Sequence, residues 1–103
     1  SEALLATLGA CLAVGVHANA TARGINLSKL EVALEGDINV TAVWGTGDLD
    51  EAKTLGFSAV RVKIDADGDA SDEEIADIIS HSNVWSPVAN TLRNNVELTV
   101  EPM

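Results

Sequence analysis

Apolar residues near the start of the chain recur with a helical period. Leu4, Leu5, Leu8, Cys11, Leu12 and Val16 follow the i, i+3, i+4 spacing of one helix face, and Ala3, Ala6, Ala10, Ala13, Val14 and Ala18 carry the apolar surface round the sides. The spacing predicts one long helix over Ser1 to Gly24. A helix so apolar on every side needs cover on more than one side. Gly24 is the expected stop, since glycine accepts the left-handed conformation that ends many helices. Arg23 falls in the last turn, where a cation suits the helix dipole.

The period then changes to two. Leu30, Val32 and Leu34 alternate with Glu31, Ala33 and Glu35, which predicts a strand with one wet face. Glu35-Gly36-Asp37 has turn chemistry, after which Ile38, Val40 and Ala42 continue an extended segment toward Trp44. Gly45 to Gly56 reads as a connecting loop with one helical turn at Leu49–Thr54 and Trp44 packed beneath it. Phe57 to Asp65 alternates again and is expected to pair antiparallel with residues 28–35, bringing Arg61 and Lys63 near Glu31 and Glu35.

Ser71 and Glu74 form a capping box ahead of a second helix, whose buried stripe is Ile75, Ile78 and Ile79. Pro87 suits the first position of a new helix, so a break is expected near Val84–Trp85, followed by a short helix from Pro87 to Arg93. Val96, Leu98 and Val100 alternate with polar residues as a last strand. The order helix, strand, strand, helix, strand is an α+β pattern. Three strands and two helices do not easily wrap the first helix, so a partner chain or further N-terminal chain must supply cover.

Composition narrows the picture. The 103 residues suffice for one domain spanning 1–103, and 47% apolar content with only 3% aromatics means an aliphatic core. Sixteen acidic residues against six basic give a net charge of −10, a surface that repels nucleic acid and anionic membranes. The single cysteine excludes an intramolecular disulfide and fits a reducing cytoplasm or a working thiol. The apolar run from Ala3 to Ala18 is short for a bilayer span, and no basic stretch precedes it as in a signal peptide. The chain begins inside the helix pattern without Met, and an N-terminal segment is expected to be missing.

Few residues offer chemistry. Cys11 reads either as a small buried hydrophobe or as a reactive thiol, which needs an electropositive setting. Ser86 suits a helix N-cap ahead of Pro87. His17 falls about 240° round the helix from Cys11, so it is no same-face base; a satisfied, partly buried histidine is expected. His81 lies late in the second helix and could border a pocket, and Trp85 either lines a cleft or packs at a seam. Asp65, Asp67 and Asp69 resemble the start of a calcium loop, but Ala70 and Ala76 replace the required glycine and glutamate. No phosphate loop, zinc spacing or Ser/His/Asp arrangement appears. No cofactor or metal is expected.

Two stretches carry a resemblance. EALLATLGACLAVGV resembles the first helix signature of the osmotically inducible protein C / organic hydroperoxide resistance (OsmC/Ohr) family. SPVANTLRNNVELTV resembles its second signature, where Cys-Pro-Val or Cys-Pro-Tyr opens a short helix before the last strand. LEVALEGD, GFSAVRVKI and SDEE fit the spacing between them, so the resemblance covers nearly the whole chain. It implies an α+β, OsmC-like fold: a long central apolar helix and a second, broken helix packed on antiparallel sheet, in an intertwined homodimer whose sheets both chains build. It also implies N-terminal strands that this chain lacks.

The resemblance further implies thiol peroxidase chemistry, in which a thiolate reduces an organic hydroperoxide, becomes a sulfenic acid and is resolved by a second cysteine. Cys11 occupies the peroxidatic position. Ser86 occupies the resolving position and cannot form a disulfide, so an external thiol must act as reductant. The family's Arg near the thiolate has no counterpart. Its Glu lies ten residues before the cysteine, at Ser1; Glu2 is one place off and falls about 180° round from Cys11, so a register shift or unwound helix start is required to bring it close. The expected function is thiol-dependent reduction of organic hydroperoxides through Cys11. The alternative is a non-catalytic homodimer of the same fold that binds a small apolar ligand or has a structural role only.

Overall fold

The computed structural model describes residues 1–39, 45 and 55–103. Helix α1 spans Glu2–Ala22, strand β1 Leu27–Ile38, strand β2 Phe57–Gly68, helix α2 Asp72–Trp85 and helix α3 Pro87–Arg93. The expected segments at Val40, Ala42, Trp44 and Leu49–Thr54 lie outside the described residues.

Helix α1 buries Leu8, Gly9, Leu12, Val16 and Ala20, the face that packs on the sheet and on α2 and α3. Its far side is open in the single chain, with Val14 67% exposed. The helix closes as its sequence dictates. Gly24 takes φ 72°, the Ile25 N–H reaches the Ala20 carbonyl at 2.9 Å and the Gly24 N–H that of Thr21 at 3.0 Å. This is the paired-bond helix ending that favours glycine, and Ile25 and Ala20 share one buried cluster, the apolar contact that accompanies it. Arg23 is the cap residue rather than part of the last turn, and its guanidinium pairs with Asp77 of α2 at 2.8 Å. At 21 residues α1 is long and apolar enough to cross a membrane by length and composition, which corrects the shorter count from Ala3 to Ala18. One face of it packs against the sheet and against α2 and α3.

Strands β1 and β2 form a two-stranded antiparallel sheet. Both are longer than their alternation suggested. Glu35-Gly36-Asp37 is not a turn: β1 continues through it to Ile38. The ladder to β2 runs straight across it, with Glu35, Gly36 and Asp37 opposite Arg61, Val60 and Ala59. Glu35 and Asp37, two apart, lie on one face of an extended strand, and Arg61 bonds both, Nε to Glu35 at 2.6 Å and its terminal nitrogens to Asp37 at 2.9 and 3.0 Å. These hydrogen bonds, and then the opposite charge, hold the Asp37 carboxyl below its usual range. The expected pairing holds for Arg61 with Glu35. Lys63, however, faces Ala33, and Glu31 faces Asp65, whose carboxylate Lys29 takes at 2.7 Å.

The opposite face of the sheet is apolar. Leu30 and Ile64 meet Val16, Ala20, Ile25 and Ile78 below the C-terminal half of α1; Leu34, Val60 and Val62 meet Leu8, Leu12 and Ala89 below its N-terminal half. Gly68 ends β2 against the backbone of Asn26. A Cβ there would stand 2.5 Å from the Asn26 carbonyl oxygen and 3.2 Å from the Leu27 Cα. Backbone atoms cannot swing aside, so Gly68→Ala is expected to cost about 1–3 kcal/mol, measurable as a lower urea midpoint.

The N-cap half of the capping box forms: Ser71 Oγ accepts the Glu74 N–H at 3.2 Å, while the Glu74 carboxylate reaches back to the Ser71 hydroxyl, which donates to it at 3.3 Å. Ile75 and Ile78 are buried and Ile79 half-buried. Residues 94–103 do not form the expected last strand. Val96, Leu98 and Val100 are 59%, 80% and 87% exposed, and the segment joins neither β1 nor β2. A strand exists only where its backbone finds a neighbouring strand, and among the described residues of one chain this segment has none.

Candidate functional site

The site is built at the joint between α2 and α3. Pro87 has no N–H to continue α2 and sits at the first position of α3. Ser86 between the two helices is therefore extended, with φ −65° and ψ 120°, and caps both. Its Oγ accepts the Ala89 N–H at 3.2 Å, and Asn90 seals the corner by donating to the Val84 and Ser86 carbonyls at 2.9 and 2.8 Å. Helix α1 brings Cys11 to this corner: Cys11 Sγ and Ser86 Oγ lie 3.2 Å apart, within hydrogen-bonding distance. Ser86 is 4% exposed and Cys11 half-buried. The Ser86 hydroxyl carries one hydrogen and two lone pairs. It can donate to a thiolate at Cys11 while keeping the Ala89 N–H on a lone pair.

The other sequence candidates lie elsewhere. Glu2 opens α1, nine residues and roughly 13.5 Å along the axis from Cys11. The helix is continuous from Glu2, so neither an unwound start nor a shifted register brings that carboxylate closer. His17 is exposed rather than partly buried. His81 stacks on Trp85 with ring centroids 6.1 Å apart, and Trp85 is 73% exposed. Asp65 and Asp67 belong to β2, and Asp69 accepts the Asn26 N–H at 2.7 Å, so the three do not form a calcium loop. Among the described residues no group of three or more His, Cys, Asp or Glu is placed to hold a metal ion.

A cleft of about 740 Å³ runs between β2 and the α2–α3 corner. Leu12, Val60, Val62, Ile79 and Leu92 form its apolar walls, and Ser80, Asn83 and Arg93 are its polar lining. Neither Cys11 nor Trp85 nor His81 lines it; Leu8, Leu12 and Ala89 do, next to the thiol. Sequence reasoning missed Asn83 and Arg93. Arg93 donates to the Asn83 carbonyl at 3.2 Å and to its side-chain oxygen. The two are ten residues apart across a helix break, and no motif in the sequence signals the pairing.

A family model described as OsmC-like protein matches residues 1–101. No curated protein matches the chain. The crystal structure of an OsmC-like protein from Mycoplasma pneumoniae is similar, with a TM-score of 0.72 and 23% identity, covering 88% of this chain and 59% of that one. The likeness establishes the fold, mixed helix on antiparallel sheet, and this chain spans 59% of that relative's length.

Proposed function

The chain belongs to the OsmC-like family, and from that premise we propose that it reduces organic hydroperoxides through Cys11 as a one-cysteine thiol peroxidase. The observation that carries the reading is the 3.2 Å approach of Cys11 Sγ to Ser86 Oγ, which supports a thiol positioned beside a buried hydroxyl donor. In the proposed cycle the thiolate attacks one peroxide oxygen. An S–O bond forms, the O–O bond breaks, and the departing alkoxide takes a proton to become an alcohol. The resulting sulfenic acid reacts with an external thiol to give a mixed disulfide and water, and a second external thiol regenerates Cys11. A cytoplasmic thiol pool suits that reductant. Ser86 cannot resolve the sulfenic acid, but its hydroxyl can steady the thiolate and then the S–O⁻ group.

The test is consumption of cumene hydroperoxide with dithiothreitol. Turnover is expected in the unaltered chain and loss to background in Cys11→Ala. No turnover, with no sulfenic adduct by intact mass and a thiol inert to alkylation, overturns the reading.

The proposal extends to a homodimer. The open side of α1 carries Ala3, Ala6, Ala10 and Val14, all exposed in one chain, and Val96, Leu98 and Val100 add more apolar surface. A charge at its centre opposes association, so Val14→Asp is expected to shift a dimer to monomer in sedimentation at micromolar concentration. A chain already monomeric before substitution removes this part of the proposal. The cleft favours a second reading, binding of a small apolar ligand without turnover, since its volume and largely aliphatic walls are those of a ligand pocket.

A further inference from the structure

We propose that the cleft takes an aliphatic carboxylate, with its chain along the apolar wall and its head on Arg93. The inference rests on the ligand-binding reading of the cleft and names the class of ligand. It does not depend on Cys11.

Among the described residues Arg23, Lys29 and Arg61 each meet a carboxylate within 2.6–2.9 Å. Arg93 does not, although acidic residues outnumber basic ones sixteen to six. Lys63 also lacks a carboxylate partner, but it stands on the wet face of the sheet. Arg93 instead lines the cleft, where two neutral oxygens of Asn83 accept from its Nη1 and Nη2. Those bonds fix the guanidinium without neutralising it. A guanidinium has five N–H donors, so a fork remains for an incoming carboxylate.

The rest of the cleft selects against small anions. Its walls are Leu12, Val62, Ile79 and Leu92, which reward an alkyl chain. The chain's net charge of −10 disfavours any anion that gains nothing from burial. An alkyl carboxylate satisfies both demands: the chain is buried and the head meets the one cation that, among the described residues, lines the cleft without a carboxylate partner. Ser80, one helical turn before Asn83, adds a hydroxyl on the same side.

The test uses octanoate and 1-octanol, titrated by calorimetry at neutral pH into the unaltered chain, Arg93→Gln and Arg93→Lys. The unaltered chain is expected to prefer octanoate to octanol by about tenfold, the usual range for a charge-assisted hydrogen bond. Arg93→Gln should remove the preference by lowering octanoate affinity more than octanol affinity, and Arg93→Lys should keep part of it. Equal affinity for acid and alcohol in the unaltered chain overturns the Arg93 anchor and leaves the apolar reading standing. Binding of neither at millimolar concentration overturns both. If Arg93→Gln fails to fold, the acid-over-alcohol preference of the unaltered chain decides the question by itself.

Discussion

Ser86→Cys is expected to give a chain that crosslinks itself to Cys11 under mild oxidation. Sulfur and oxygen already stand 3.2 Å apart in the native arrangement. A disulfide needs about 2.05 Å, and the longer C–S bond of the new residue takes up part of the difference. The bridged residues are 75 apart in sequence, and closing a loop of that length removes unfolded-state entropy worth about 4–5 kcal/mol in the chain-entropy model. Before oxidation the sign is opposite. The Ser86 hydroxyl also caps Ala89, and a thiol caps poorly, so the reduced variant should lose about 1 kcal/mol. The measurable pattern is therefore a urea midpoint below the parent with dithiothreitol present and above it without, together with loss of two hydrogens by intact mass. If the proposed peroxide chemistry holds, one equivalent of hydroperoxide should produce the same crosslink with no external thiol. A midpoint indifferent to reductant means that the two side chains do not meet in solution.

Ile78→Ala is expected to cost about 3–4 kcal/mol, within the range for large-to-small changes at well-packed sites. Ile78 is 1% exposed and packs with Val16, Ala20 and Ile25. It is the side chain through which α2 closes the C-terminal half of α1 over the sheet. Domains of this kind hold about 5–15 kcal/mol in all, so the variant should approach the unfolding threshold. Val84→Ala on the same helix, at 60% exposure, should move stability by less than about 0.5 kcal/mol. Comparable losses at both positions, read from urea unfolding, refute the packing described for α2.

Much of this was legible because the signals are local. Helix α1 could be read from its period and from Gly24, α2 from its capping box, and the α2–α3 break from Ser86-Pro87. The two signature stretches supplied Cys11 and Ser86 as a pair. What escaped depends on distant residues. Glu35-Gly36-Asp37 has the composition of a turn, and what holds it as strand is its pairing with residues 59–61 of β2, where Arg61, 24 and 26 residues away, also meets both carboxylates. The alternation of Val96, Leu98 and Val100 records a strand preference, but a strand also needs a neighbour. Arg93 entered the sequence reading only as the end of the short helix; its place in a cleft with Asn83 follows from the corner at Ser86, not from its own spacing.

The order of the elements bears on how the chain is made. Helix α1 leaves the ribosome before β1, β2 and α2, the elements that cover its inner face. At about 5–20 residues per second, translation from Ala22 to Trp85 takes roughly 3–13 s. Until β1, β2 and α2 have all followed, the inner face of this greasy 21-residue segment lacks the elements that cover it in the fold, and chaperones that grip such segments have first access.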